Sequence, residues 1–273
     1  MKKPLVSLLV FATFFPLACF AASPIDGTWK VEPGSYSQPK TPASYVVTKG
    51  VFECVSCPGK DRVRTDGIDH PVSGDPTADT LAVRLPDART VETTAKKAGK
   101  LVSQVKLSLA SDDKTMTRQA KKFLNGKPLV DETTYARITN GPPGSHWLSG
   151  SWRRARIDTM TESLVTFKTE GGVLSMSAPP GGSYQAPLDG TPAPIKGDPG
   201  TEMVSVRMKD ARTLEEVAYR QGKPFMTTTM SVEADGQRAK VTWRHNQAAA
   251  WAAKYMFVPD GQADTGSYSM TRQ

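Results

Sequence analysis

Along most of the chain apolar and polar residues alternate with a period of two. In "DTLAVRLPD" (79–87) Leu81, Val83 and Leu85 alternate with Ala82 and Arg84. In "MVSVRMKD" (203–210) Val204, Val206 and Met208 alternate with Ser205 and Arg207. "VSQVKLSLA" (102–110) and "MTTTMSVEA" (226–234) keep the same period. Such alternation predicts strands with one face in a core and the other in water. The connections "KKAGK" (96–100) and "YRQGK" (219–223) are short and contain glycine, as tight hairpins require. "SDDK" (111–114) and "ADGQ" (234–237) make the next turns, and "ESLVTFKTEGGVLSMSA" (162–178) reads as a hairpin around Glu170-Gly171-Gly172. One short helix is predicted, at "NQAAAWAAK" (246–254).

The pattern occurs twice. "RLPDART" (84–90) returns as "RMKDART" (207–213), and sliding the chain by 123 positions aligns much more. Gly27 and Trp29 meet Gly150 and Trp152, Asp66-Gly67 meets Asp189-Gly190, and Gly99-Lys100 meets Gly222-Lys223. After Asp112/Asp235 the register slips, and "TTYARI" (133–138) is matched to "AAKYMF" (252–257). A unit of roughly 120 residues is the size of a whole domain. The expected organisation is therefore a first domain at 24–138, a linker "TNGPPGSH" at 139–146, a second domain at 147–260, and a tail or last strand at 261–273. Each unit should fold alone. Sequential antiparallel strands with tight turns predict an all-β fold of two tandem up-and-down barrels, which leave no exposed edges; a β-sandwich is the alternative.

The "GTWK" opening (27–30), the stretch from "GDPTADT" to "DDKTMT" (74–117) and the closing "YARI" (135–138) resemble the lipocalin-like domains of secreted bacterial proteins. In that family a Gly-x-Trp near the first strand plugs the closed end of the barrel. The resemblance assigns this structural role to Gly27, Trp29, Gly150 and Trp152. It also implies an arginine laid across each tryptophan, for which Arg84, Arg89, Arg207 and Arg212, kept in both units, are the candidates. The second unit departs from the family at the hairpin, reading "DGQRAK" (235–240). What the resemblance implies for function is a small apolar ligand.

The N-terminus reads "MKKPLVSLLVFATFFPLACFAASP": two lysines, an apolar run, then small residues. This is the three-region pattern of a secretory signal (1–22), cleaved after Ala21 or Ala22, and it places the mature protein in a periplasm or outside the cell. A lipid anchor on Cys19 is the alternative. No later stretch is apolar for long enough to span a membrane as a helix. The formal charge of +8 includes the two signal lysines, so the mature chain carries +6. Its basic residues are scattered without interleaved aromatics, which argues against nucleic acid as a partner.

Removal of the signal leaves two cysteines, Cys54 and Cys57 of "ECVSC". In an oxidising compartment they predict a structural disulfide, with redox and metal roles as alternatives. His70, His146 and His245 have no histidine counterparts in the other unit, and the motifs of hydrolases, zinc proteases and nucleotide binders are absent. The recurring Asp66/Asp189, Asp75/Asp198 and Asp87/Asp210 sit at turns, where aspartate bonds to backbone. No catalytic constellation, metal or cofactor is therefore expected. Trp243 and Trp251 could line a pocket or pack in the core. Two functions remain: a binding protein with a small apolar or amphipathic ligand in a barrel mouth, or a structural protein with filled barrels acting through loops or a basic face. The inward positions Leu81, Val83, Val105 and Leu107 should discriminate between them.

Overall fold

The computed structural model describes residues 23–37, 42–57, 62–73, 77–124, 127–161, 163–178, 181–198, 201–245 and 265–273. The signal segment with Cys19, Gly74-Asp75-Pro76, the helix at 246–254 and Trp251 lie outside them. The described residues contain no α-helix, one 3-10 turn (Pro33–Ser35) and twenty strands. In chain order these are β1 (Gly27–Val31), β2 (Ala43–Thr48), β3 (Val51–Cys54), β4 (Arg62–Arg64), β5 (His70–Pro71), β6 (Thr80–Asp87), β7 (Thr90–Lys97), β8 (Lys100–Leu109), β9 (Thr115–Leu124) and β10 (Lys127–Asn140). Then come β11 (Gly150–Met160), β12 (Leu164–Glu170), β13 (Val173–Ser177), β14 (Ser183–Pro187), β15 (Ala193–Lys196), β16 (Met203–Asp210), β17 (Thr213–Arg220), β18 (Lys223–Val232), β19 (Arg238–His245) and β20 (Thr265–Arg272). The protein is all-β, with two antiparallel barrel-shaped sheets of ten strands each. One closes fully; the other runs from β4 round to β5 and stays open between them. The predicted hairpins form with both central residues at positive φ, as at Ala98-Gly99 (47° and 74°) and Gln221-Gly222 (50° and 69°). That geometry matches the twist of the flanking strands.

The barrels do not coincide with the two halves of the repeat, which corrects the expected boundaries at 24–138 and 147–260. Strand β1 leaves its own unit and inserts between β12 and β20, with Trp29 opposite Val165 and Arg272. Strand β11, the first strand of the second unit, pairs instead with β10 and β2 of the first. Barrel one is thus the continuous run β2–β11, and barrel two is β12–β20 closed by β1. The reason lies in the expected linker, which is a packed corner. Gly141 N–H donates to Ser149 O (2.9 Å), His146 N–H to Val47 O (2.8 Å), and Leu148 is fully buried. This ordered corner joins β10 and β11 as a hairpin. The vacancy in barrel two is then filled by β1, so residues 265–272 serve as a last strand paired to the first.

Each barrel is plugged by a Gly-x-Trp from the other unit, and the arginines differ from those expected. Arg137 lies over Trp152 (4.1 Å from the ring centroid) and Arg272 over Trp29 (4.3 Å). Both tryptophans are fully buried, with indole N–H bonds to Leu148 O (3.1 Å) and Ile25 O (2.8 Å). Arg137 donates to the carbonyls of Asp113, Trp147 and Ser149, and Arg272 to those of Pro24, Asp26 and Gly236. The guanidinium needs a glycine beneath it: a Cβ on Gly27 would sit 2.6 Å from the Arg272 Nη1, and φ there is +123°. Arg84 and Arg207 instead point outward from β6 and β16, Arg84 pairing with Glu92 (2.5 Å). Arg89 and Arg212 close hairpin turns on Ala110 O (2.7 Å) and Glu233 O (2.6 Å). Strand parity and turn position put all four out of reach of the indoles.

Two outcomes test this topology. Residues 42–161 hold all ten strands of barrel one and should melt cooperatively alone, whereas 164–273 should stay unfolded until a peptide of residues 23–37 is added; circular dichroism distinguishes the cases. Arg272→Ala should destabilise by about 3 kcal/mol in denaturant unfolding, through lost stacking and charge-assisted hydrogen bonds.

Candidate functional site

Burial along the inward-facing positions locates the site. In barrel two the lower inward residues are packed solid: Leu214, Met230, Val232, Ala239 and Val241 are all at most 5 % exposed. One or two inward steps higher, Glu216 and Ala218 on β17, Thr228 and Met226 on β18, and Trp243 and His245 on β19 are only half-buried. Cross-strand pairing puts Val206, Glu216, Thr228, Trp243 and Gly266 on one inward row. The row through Glu216 is thus less tightly packed than the floor beneath it.

Glu216 is the acid of that row. The Tyr184 hydroxyl, reaching across from β14, donates to its Oε1. Burial pushes the Glu216 carboxyl above its ordinary range, and the Tyr184 hydrogen bond opposes this only in part. Tyr184 is pushed up in turn by burial and by the neighbouring carboxylate. Tyr268 is raised by burial and, in smaller part, by Tyr36 and Glu216. Its ring stacks on Tyr36 (5.0 Å between centroids) and lies tilted to Trp243 (6.1 Å). Gly266 is required beside them, since a Cβ there would overlap the Trp243 ring. Tyr36 is carried by the segment that crosses from β1 to the other barrel, and the Arg154 guanidinium holds that segment by the carbonyls of Tyr36 and Ser37.

Barrel one differs at the same level. Thr93 stands in the place of Glu216, Ala120 in that of Trp243 and is buried, and Arg118 on β9 bonds Asp131 on the adjacent β10 (2.7 Å). Of the four inward positions chosen to discriminate, Val83 and Leu107 are fully packed and Leu81 and Val105 half-buried. Tyr45, stacked near Phe52 (6.0 Å between centroids), is pushed up to about 12 by burial.

On the outer faces two depressions recur at equivalent places. One of about 530 Å³ is lined by Glu215, Thr227, Thr229, Thr242 and Arg244. The other, of about 790 Å³, is lined by Glu92, Gln104, Lys106, Gln119 and Lys121. Each residue of the first set lies 123 positions after its counterpart in the second.

The remaining candidates stay apart. Cys54 and Cys57 are joined in a disulfide (Cα–Cα 5.2 Å) at the end of β3. Strand pairing makes Met176, opposite Phe167, the counterpart of Cys54, opposite Tyr45. His70 bonds to Asp66 (2.9 Å), which lowers the Asp66 pKa together with the Ile68 backbone N–H. His146 accepts from Leu148 N–H (3.2 Å) in the corner of barrel one. Asp87, Asp189 and Asp210 accept backbone N–H bonds two residues on, as Asx turns do. Among the described residues no three His, Cys, Asp or Glu side chains converge as metal ligands would. Sequence inspection passed over Glu216, Tyr184, Arg137 and Arg272. Glu216 had a signal, sharing inward parity with Leu214 and Ala218 in "TLEEVAYR" (213–220). The two arginines were hidden because Arg272 follows Arg137 by 135 positions rather than 123.

Comparison with protein-family models, curated proteins and solved structures gave no match. The likeness to lipocalins therefore rests on the barrel architecture.

Glu216→Gln tests the electrostatics of the lumen. A folded-state pKa above the unfolded value of about 4.3 means that the native state holds its proton longer. The stability this contributes is present below the unfolded pKa and is lost as pH rises through the folded one. The variant should therefore melt higher than the parent at pH 8, with the gap closing near pH 4. Equal melting temperatures at both pH values would place the carboxyl in water.

Proposed function

We propose that the chain is an exported binding protein that holds a small amphipathic ligand in the lumen of the second barrel and carries out no chemistry on it. One observation carries this: inward side chains around Glu216 are half-buried above a floor that is fully packed. A barrel of ten strands has room for its own side chains and one modest ligand. The wall joins apolar and aromatic side chains to a few polar ones, among them the bonded pair Glu216–Tyr184, which is the usual composition of a small-molecule site. Export is supported by the N-terminal signal pattern and by a disulfide of the kind that persists in oxidising compartments.

A second reading, an interaction protein acting through its surface, draws on the twin outer depressions. The two are separated by native mass spectrometry of protein recovered from its own export compartment. A small-molecule adduct at one per chain, lost on Thr228→Trp in the lumen, supports the binding protein. Protein without an adduct that instead co-purifies with a macromolecule, released by Thr229→Arg with Lys106→Glu on the outer faces, supports the surface reading.

A further inference from the structure

The two lumens are neutralised differently. In barrel one the inward charges balance each other, Arg118 to Asp131 at 2.7 Å. In barrel two no ion pair to Glu216 forms among the described residues, and its bonded neighbour is the Tyr184 hydroxyl. Tyr184 occupies Oε1, leaving Oε2 as an acceptor for an incoming group. Aromatic rings gather at this row and the one beneath it. Trp243 shares the inward row of Glu216, and Tyr268 stands between Trp243 and Tyr36.

A carboxylate enclosed with aromatic faces is the chemistry that recognises an ammonium group. The ring quadrupoles attract the cation, and the carboxylate offsets the cost of bringing a charge out of water. We propose that the second barrel selects amphiphiles with a cationic head, an amine or a quaternary ammonium, bound at Glu216 among Tyr184, Tyr268 and Trp243. This rests on the lumen being the binding site and names its ligand class. The packed floor of Leu214, Met230 and Val241 stops the head at the depth of Glu216. The alkyl tail then lies toward the mouth along Ala218 and Met226, one inward step above. An anionic head would meet the Glu216 carboxylate. A neutral head would forgo both the ion pair and the cation–π contacts.

The test is calorimetric titration of the full mature chain with three probes of equal tail: decyltrimethylammonium, 1-decanol and decanoate. The ammonium should bind one per chain, about tenfold or more tighter than the other two. Glu216→Gln, checked for an unchanged far-ultraviolet spectrum, should lose that preference by a similar factor. Trp243→Leu should weaken the ammonium and leave decanol unaffected. Three probes that bind equally, with Glu216→Gln matching the parent, would overturn the cationic head and leave the lumen standing. Tighter binding of decanoate would overturn it as well. No binding by any probe would overturn the lumen and the cationic head together.

Discussion

The constraint on which everything else depends is the seating of one five-residue strand. Gly27–Val31 closes barrel two between β12 and β20, and only there does Trp29 come under Arg272. The strand contributes a fully buried indole, and its glycine leaves the space in which the guanidinium bonds three backbone carbonyls. Its counterpart β11 does the same for barrel one with Trp152 and Arg137. Because each plug comes from the other unit of the repeat, the two barrels are coupled through covalent crossings. Barrel two has no complete sheet until the first and last strands of the chain have met, a contact of very long sequence separation and slow to form.

The same exchange shapes the candidate site. The crossing that follows β1 carries Tyr36 onto Tyr268, beside the Glu216 row. Arg154, on the exchanged strand β11, holds that crossing in place. The aromatic side of the lumen is thus assembled from both ends of the chain. The repeat supplies one scaffold twice, and substitution at a few inward positions makes the interiors differ. Thr93 faces Glu216 across the repeat, and Ala120 faces Trp243. One interior carries an ion pair between adjacent strands; the other keeps an acid that burial pushes above its ordinary range.

Much of the fold was legible in the sequence because alternation and turn chemistry are local properties. The inward parity of Val83, Leu107, Val206 and the two tryptophans follows from a period of two, and the Ala98-Gly99 and Gln221-Gly222 hairpins from their residues. Strand partnership is not local. Nothing in "GTWKV" distinguishes pairing with β2 from pairing with β12, and the choice was made by the packed corner around Leu148, which looked like a flexible Pro-Gly linker. The plug arginines were misassigned for a related reason. The matched phrase "DART" drew attention to residues kept for their turns, while the true pair sat behind an unequal spacing. Glu216 was legible by parity alone, but an acid on an inward position carries meaning only once its surroundings are known.

The central claim is that the first strand completes the second barrel, and cysteine cross-linking tests it most directly. Lys30 and Thr271 are paired neighbours on β1 and β20. If β1 stayed in its own unit, Lys30 would instead neighbour Ala136, the residue before Arg137 as Thr271 is the residue before Arg272. Mass analysis after mild oxidation should find the Lys30→Cys/Thr271→Cys protein cross-linked within a monomer and the Lys30→Cys/Ala136→Cys protein with free thiols at those positions. The opposite pattern would contradict the exchange, and with it the assembly of the lumen from both ends of the chain.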